Sequence, residues 1–373
     1  MTSVLGAAQE LYAWAKAQNF EGHDPHDLLT SPFLRRVRNP MARLIALQIG
    51  RRSAVNLHKM LRVPKLENPK ALALFIPGML RAKDGVTHDW LSEAEELGNR
   101  LLGSMNKNGG WGYQFPWQSR THFLPAGTPN IVTTSFAGNA LIELYSYNSN
   151  AAIKEAIERS AKFVRSLQVP NTHAFGYAAN DPQIVFNASL LGAEFLANAA
   201  ELLSNSEYLE IAWLAAQFVA EHQRNDGGWY YGLEPSQQWE DSFHTGFIVC
   251  SMRRIAELVK EESLLRSAER GFEYYENTFL EPDFAIDYFP HKRYPIDAHA
   301  LGQAMLTFTA FDKPETARHI GEWSLKHLHS RQGYFYYQRH RLFTNRIPYL
   351  RWSNAWMFRG LTEVIGKSGD REH

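Results

Sequence analysis

The sequence predicts an all-α fold, an (α/α)6 toroid in which six helical hairpins set an inner ring of helices inside an outer one. Three observations predict it. Two kinds of helical segment alternate along the chain, one amphipathic and one apolar almost all round. Loops rich in glycine and aromatic residues separate successive pairs and recur at roughly 50–65 residues, the length of one helical hairpin with a long return loop. The last apolar helix has no outer partner after it, whereas an amphipathic helix at the opposite terminus stands unpaired. Joining the two closes a ring, which covers every repeat without the polar end caps an open solenoid requires.

The elements follow in order. An amphipathic helix occupies about 3–18. Residues 20–65 do not fit the repeat and are expected as an irregular N-terminal insertion in a single domain of 1–373, with "RLIALQIGRRSAVNLHKML" as an extra helix crossing the ring. The first hairpin is expected near 69–82 and 88–106. In 151–168 Ile153, Ile157, Val164 and Leu167 recur at helical spacing, with Lys154, Glu155, Glu158 and Arg159 opposite, so one face is wet. Segments 206–223 and 262–279 behave alike. Segments 129–147, 182–203, 242–259, 295–311 and 349–366 have too little polar surface for a solvated face and belong inside. In such a ring the loops 108–124, 173–181, 225–241, 283–297 and 332–348, which run from outer to inner helices, gather at one mouth.

Composition narrows the functional classes. Lys plus Arg and Asp plus Glu both total 39, so no global field draws nucleic acid or an anionic membrane, and any charge selectivity must be local. The single cysteine, Cys250, excludes an intramolecular disulfide framework and a thiolate zinc cluster, which fits a reducing, cytoplasmic address. The N-terminus carries Glu10 and lacks a basic start before a pure apolar run, so it reads as a mature helix; no stretch is long enough to span a membrane.

The mouth loops carry the candidate chemistry. Trp111, Tyr113, Trp117, Tyr177, Trp229, Tyr230, Trp239 and Trp352 read either as loop anchors packed on helix ends or as a sugar-stacking wall. Inner helices start at the mouth, and their positive poles favour an anion. Arg120, His122, Arg293, Arg341, Arg346 and Arg351 agree with that, unless they tie loops through Asp181, Asp287 or Asp297. In "WEDSFHTGF" Asp241 stands three residues before His244, as an N-cap or as the group orienting the imidazole. "YFPHKRYPIDAHALGQ" gathers Tyr288, His291, Asp297 and His299; tyrosine and histidine move protons near neutral pH once their surroundings shift their pKa values, and Asp297 also reads as a helix cap. The two-residue step from Asp297 to His299 suits a loop better than one helix face, so no metal is expected and no cofactor is implied. There is no phosphate-binding loop, dinucleotide fingerprint or nucleophile elbow.

The runs "GWGYQFPWQSR", "GTPNIVTT", "DSFHTGF", "HKRYPIDAHALGQA" and "GYFYYQRHRLFTNRIPYLRWSNAWMFRGL" resemble a family of soluble proteins associated with bacterial and archaeal exopolysaccharide, O-antigen and surface-glycan synthesis, some of which carry a δ-aminolevulinate dehydratase label. "HKRYPIDAHA" also looks like the C-terminal toroid of D-glucuronyl C5-epimerases, and the Gly-Gly-Trp loops look like repeats of terpenoid cyclases and protein prenyltransferases. The aspartate-rich acid motif of the cyclases and the zinc ligands of the prenyltransferases are missing here. What the resemblance implies is a carbohydrate-active enzyme acting on a uronic acid within an oligosaccharide or lipid-linked glycan, with partner proteins of a synthesis complex. C5 epimerisation is the leading expectation, with Tyr288 and His291 set against His244 and Tyr336. A lyase, a glycosidase using Asp241 and Asp297, and a noncatalytic glycan-binding subunit are the alternatives.

Overall fold

The structure, a computed structural model, describes residues 3–82, 89–118 and 123–368. Six helices make the inner ring: α4 (Pro69–Ala82), α6 (Ile131–Asn148), α8 (Phe186–Leu202), α10 (Ser242–Val259), α12 (Ala298–Ala310) and α14 (Ala355–Ser368). Each packs on the next, and α14 returns to α4. Outside them lie α5 (Trp90–Gly103), α7 (Ala151–Arg165), α9 (Glu207–Glu221), α11 (Glu262–Phe279) and α13 (Pro314–Leu328), each against the inner helix before it. The sixth outer place belongs to α1 (Val4–Ala17), which packs on α13 and α14. The expected toroid and its closure by the N-terminal helix are both present.

The division into rings follows from the side chains. α8 buries nearly every residue, from Phe186 through Ala200, because it meets neighbours on all sides. α7 buries Ile153, Ile157, Phe163 and Val164 and leaves its charged face wet. Caps fix where several inner helices begin. Asn130, Asp241 and Asp297 cap α6, α10 and α12 through their side-chain oxygens, each accepting a first-turn backbone N–H.

The Gly-Gly-Trp repeat has a structural meaning. Trp111 and Trp229 are fully buried, and their indole N–H groups donate at 2.8 Å to Leu101 O and Val219 O, each ten residues earlier at the end of an outer helix. Gly109, Gly227 and Gly333 hold φ of +87°, +94° and +84°, and a Cβ on them would stand 2.6, 2.7 and 2.8 Å from the carbonyl oxygens of Arg159, Arg270 and Glu10. The outer helix met in the third case is α1, in the role α7 and α11 play for the other two.

The region 18–68 crosses the mouth. It holds α2 (Pro40–Arg52), the single-turn α3 (Leu57–Met60) and a short ladder of β1 (Glu21–Gly22) with β2 (Leu66–Glu67). The expected crossing helix is therefore α2, with a break at Ser53 and the short α3 after it. Three more ladders knit the mouth: β3 (Trp117–Gln118) with β4 (Phe123–Leu124), β5 (Gly176–Ala178) with β6 (Asp181–Ile184), and β7 (Ile296–Asp297) with β8 (Gln338–Arg339) and β9 (Thr344–Asn345). A π-helical turn, Leu350–Asn354, leads into α14.

Candidate active site

Asp241 does both jobs the sequence left open. Its Oδ1 accepts the His244 backbone N–H at 2.9 Å, and its Oδ2 lies 2.8 Å from His244 Nδ1. A buried carboxylate there holds a proton on Nδ1 and leaves Nε2 as the nitrogen free to exchange a proton with a substrate. One inner helix further round, Asp297 caps α12 through the His299 N–H at 2.8 Å and accepts from Gln338 Nε2 at 2.7 Å and Trp352 Nε1 at 3.2 Å. Burial pushes its carboxyl up to about 6 against those hydrogen bonds.

His299 is the least satisfied group of the cluster. Its ring stacks on Phe243 at 4.2 Å and on Trp356 at 4.5 Å, with the edge of Trp352 at 4.8 Å. Neither ring nitrogen has a hydrogen-bond partner, although the residue is 1 % exposed. Burial, reinforced by Lys70 and Arg351, holds its pKa well below the ordinary histidine value, so the imidazole is neutral. Tyr288 packs edge-on to Phe243 at 5.6 Å, and burial together with Asp241 and Asp297 keeps its hydroxyl protonated.

Three cations approach this group. Lys70, in the first turn of α4, is 3 % exposed and sits 4.3 Å from the Phe136 ring, 5.2 Å from Trp356 and 5.4 Å from Phe247. Burial and then Arg351 pull its ammonium well below the ordinary lysine value. Arg51 reaches in from α2 to lie beside Tyr337, Tyr288 and Asp297. Arg351, buried in the π-helical turn, donates through Nε at 2.5 Å and Nη2 at 2.8 Å to Asp24, with its guanidinium 5.0 Å over Tyr113. Its partner belongs to the crossing segment and is none of Asp181, Asp287 and Asp297.

Several mouth aromatics pack together. Tyr231 stacks on Trp239 at 4.3 Å and meets the His244 ring edge-on at 4.7 Å. Tyr113 stacks on Phe115, tilts against Trp117 at 5.5 Å and lies beside Tyr177. His26 lies 4.6 Å from Trp117 and 5.2 Å from Trp352.

Other expected residues fall elsewhere. Trp111 and Trp229 are buried loop anchors, because an indole N–H sealed in the core must find an acceptor. Tyr230 is exposed under Arg224, its ring 4.7 Å from the guanidinium. His291 sits exposed at a turn tip with φ +54°, apart from the buried Tyr288. Arg293 ties its own loop through Asp283 at 2.6 Å and Glu281 at 3.2 Å. Arg341 and Arg346 are exposed, and Arg346 covers the ring of Tyr336, which packs on Tyr334 and, through it, faces Trp14 of α1. Tyr337, one residue on, takes the inward place expected of Tyr336. Arg120 and His122 lie outside the described residues. The waiting helix poles are also modified: the side chains of Asn68, Asn130, Asp241 and Asp297 already accept first-turn N–H groups, two of them as carboxylates.

Asp24, His26, Arg51, Lys70, Tyr231, Tyr337 and Phe243 were missed. Lys70 had a signal, since it is the lone charge in "PKALALFIPGML". Among the described residues one group could hold a metal, which the sequence did not foresee: donor atoms of His23, Asp27 and His58 lie within 4.8 Å of one another. In the structure His58 Nε2 stands 2.8 Å from Asp27, and its Nδ1 3.0 Å from Asn56 Oδ1, so an ion pair accounts for the group.

No protein-family model matches the chain, and no curated protein is similar to it in sequence. Solved structures share the fold. Cellobiose 2-epimerase from Bacillus thermoamylovorans superposes with a TM-score of 0.65 at 11% identity, over 81% of this chain and 90% of that one. An unsaturated glucuronyl hydrolase specific for heparin gives 0.61 at 13% identity, over 83% and 90%. A D-mannose isomerase gives 0.60 at 13% identity, over 81% and 87%. The chain is thus an (α/α)6 toroid similar in fold to sugar epimerases, sugar isomerases and a glycan hydrolase.

Proposed function

We propose that this protein is a carbohydrate-active enzyme that epimerises an acidic sugar by removing and returning the proton alpha to its carboxylate, in the context of surface-glycan synthesis. The observation that carries the reading is the pair of histidines in the first turns of adjacent inner helices, one backed by Asp241 and the other neutral with both nitrogens unpartnered. His299 has a lone pair available, and a sugar carboxylate placed beside Lys70 and Arg351 would offset the cations that weaken it as a base. The C–H bond breaks with its proton passing to His299, and the electron pair spreads into the carboxylate as an enolate. Arg51 and Lys70 stabilise that charge. A proton carried on Nε2 of His244, whose Nδ1 is held by Asp241, passes to the carbon and forms the new C–H bond. The stacked Tyr231 and Trp239 give the sugar ring a platform beside His244. Asp297 is a poor glycosidase acid, since both of its oxygens already accept hydrogen bonds.

The test is solvent exchange. Incubation with uronic-acid oligosaccharides in deuterated water should place deuterium on the carbon bearing the carboxylate, and His299→Ala or His244→Ala should slow this by about 10²–10⁴-fold. Label at C2 of an uncharged reducing sugar would move the reading to a neutral-sugar epimerase. Absence of label from both panels overturns it.

A further inference from the structure

The segment between Asp27 and Glu67 contains no acidic residue, in a chain whose formal charges balance. Arg35, Arg36, Arg38, Arg52, Lys59 and Arg62 are exposed there, and none forms an ion pair among the described residues. Elsewhere several exposed or half-exposed arginines are paired, as Arg165 is with Glu207, Arg253 with Asp312 and Arg318 with Glu315, while Arg331, Arg341 and Arg346 form no ion pair among the described residues.

The same segment leaves large apolar side chains in solvent. Met41, Ile45 and Ile49 stand at four-residue steps on α2 and form one ridge, while Leu47 and Gly50 on its other side face the crossing segment, Gly50 against Leu28. Phe33, Val55 and Met60 lie in the same segment, and the six are 53–68 % exposed. Arg43 covers the exposed ring of Phe123 from the neighbouring loop. Asn345, at the base of the β8–β9 hairpin, donates to Ser53 O at 3.0 Å, which brings the exposed hairpin residues Leu342 and Phe343 to the same side.

From this we infer that the crossing segment is a membrane-docking face, which seats the toroid's mouth on an anionic lipid surface with α2 lying in the headgroup region. Aliphatic side chains flanked by unpaired arginines are what such insertion uses, and each cation near the surface adds attraction to anionic lipid. Nucleic acid would leave the apolar ridge unmatched. A second copy of the chain would set one wholly basic face against another. Because the segment also delivers Asp24 to Arg351 and Arg51 to Tyr337, docking it would bring the candidate site to the bilayer, where a lipid-linked glycan is presented. The docking stands on surface chemistry alone, whether or not the epimerase reading holds.

The test is co-sedimentation of the full chain with phosphatidylcholine vesicles, alone or containing about 30% phosphatidylglycerol, at low and high salt. Binding should need the anionic lipid and weaken with salt. It should fall about fivefold for each charge removed in Arg35→Gln, Arg36→Gln and Arg38→Gln. Met41→Ser, Ile45→Ser and Ile49→Ser together should abolish it, with thermal unfolding unchanged in both sets. Equal binding to neutral and anionic vesicles, or binding indifferent to both sets, overturns the inference. So does a chain that ignores vesicles but either loses a dimer on the apolar substitutions or binds single-stranded nucleic acid.

Discussion

The hairpin ring and the segment that crosses its mouth are held in place by different forces. In the ring, apolar faces meet on every side: Leu190, Phe195, Met305 and Trp356 are all fully or almost fully buried in one continuous core. In the crossing segment only Leu28, Leu29, Leu47 and Val63 form a separate small cluster. Phe20 at the segment's start packs into the ring's core against Phe75, but beside the candidate site the joins are largely polar: Asp24 to Arg351, Arg51 beside Tyr337 and Leu350 N–H to His23 O. Stability therefore belongs chiefly to the ring, whereas several of the segment's ties pass through the candidate site.

The sharpest way to break that comparison is Asp24→Ala. It strands a guanidinium that is 3 % exposed and has no other carboxylate bonded to it among the described residues. Leaving one partner of a buried pair uncompensated costs about 3–5 kcal/mol. Urea unfolding should show that loss, and Asp24→Ala combined with Arg351→Met should recover much of it. A cost below about 1 kcal/mol would mean the segment is not anchored through this pair.

The contrast also governs what could be read from the sequence. Ring helices announce themselves because burial imposes a period, and Ile153, Ile157 and Val164 repeat it in the open text. Closure by α1 was legible for the same reason. Asp241 and His244 were legible because both lie within one helical turn. Arg51 and Asp24 were not, since their partners Tyr337 and Arg351 come hundreds of residues later and no local pattern links them. Trp111 and Trp229 misled because a buried anchor and a stacking platform have the same letter, and only the acceptor ten residues back decides between them.

Asp297 gives a second test, of intermediate size. Its folded-state pKa of about 6 lies above the ordinary aspartate value of 3.8, so the native state keeps a proton that the unfolded chain has released. Unfolding then releases protons, and this group's contribution to stability falls as pH rises from about 4 through 6. The difference amounts to about 2–3 kcal/mol at neutral pH. Asp297→Asn should still cap α12 and should lack this decline when unfolding free energy is measured across that range. An unchanged decline would place the titrating group elsewhere.

The smallest expected effect tests ring closure itself. Gly127 and Gly333 both hold positive φ, at +76° and +84°, so alanine strains the backbone at either place. Around Gly127, in a mouth loop, a new Cβ would find nothing within 4 Å; at Gly333 it would stand 2.8 Å from the carbonyl oxygen of Glu10 on α1. Gly127→Ala should cost about 1 kcal/mol from the left-handed conformation alone. Gly333→Ala should cost about 1 kcal/mol more, because backbone of a packed helix cannot swing aside as a flexible side chain does. Thermal unfolding of the two variants compares these directly. Equal costs would mean that α1 yields at its contact with the last loop, and that the hairpin made by the two ends of the chain is softer than the five that follow one another in sequence.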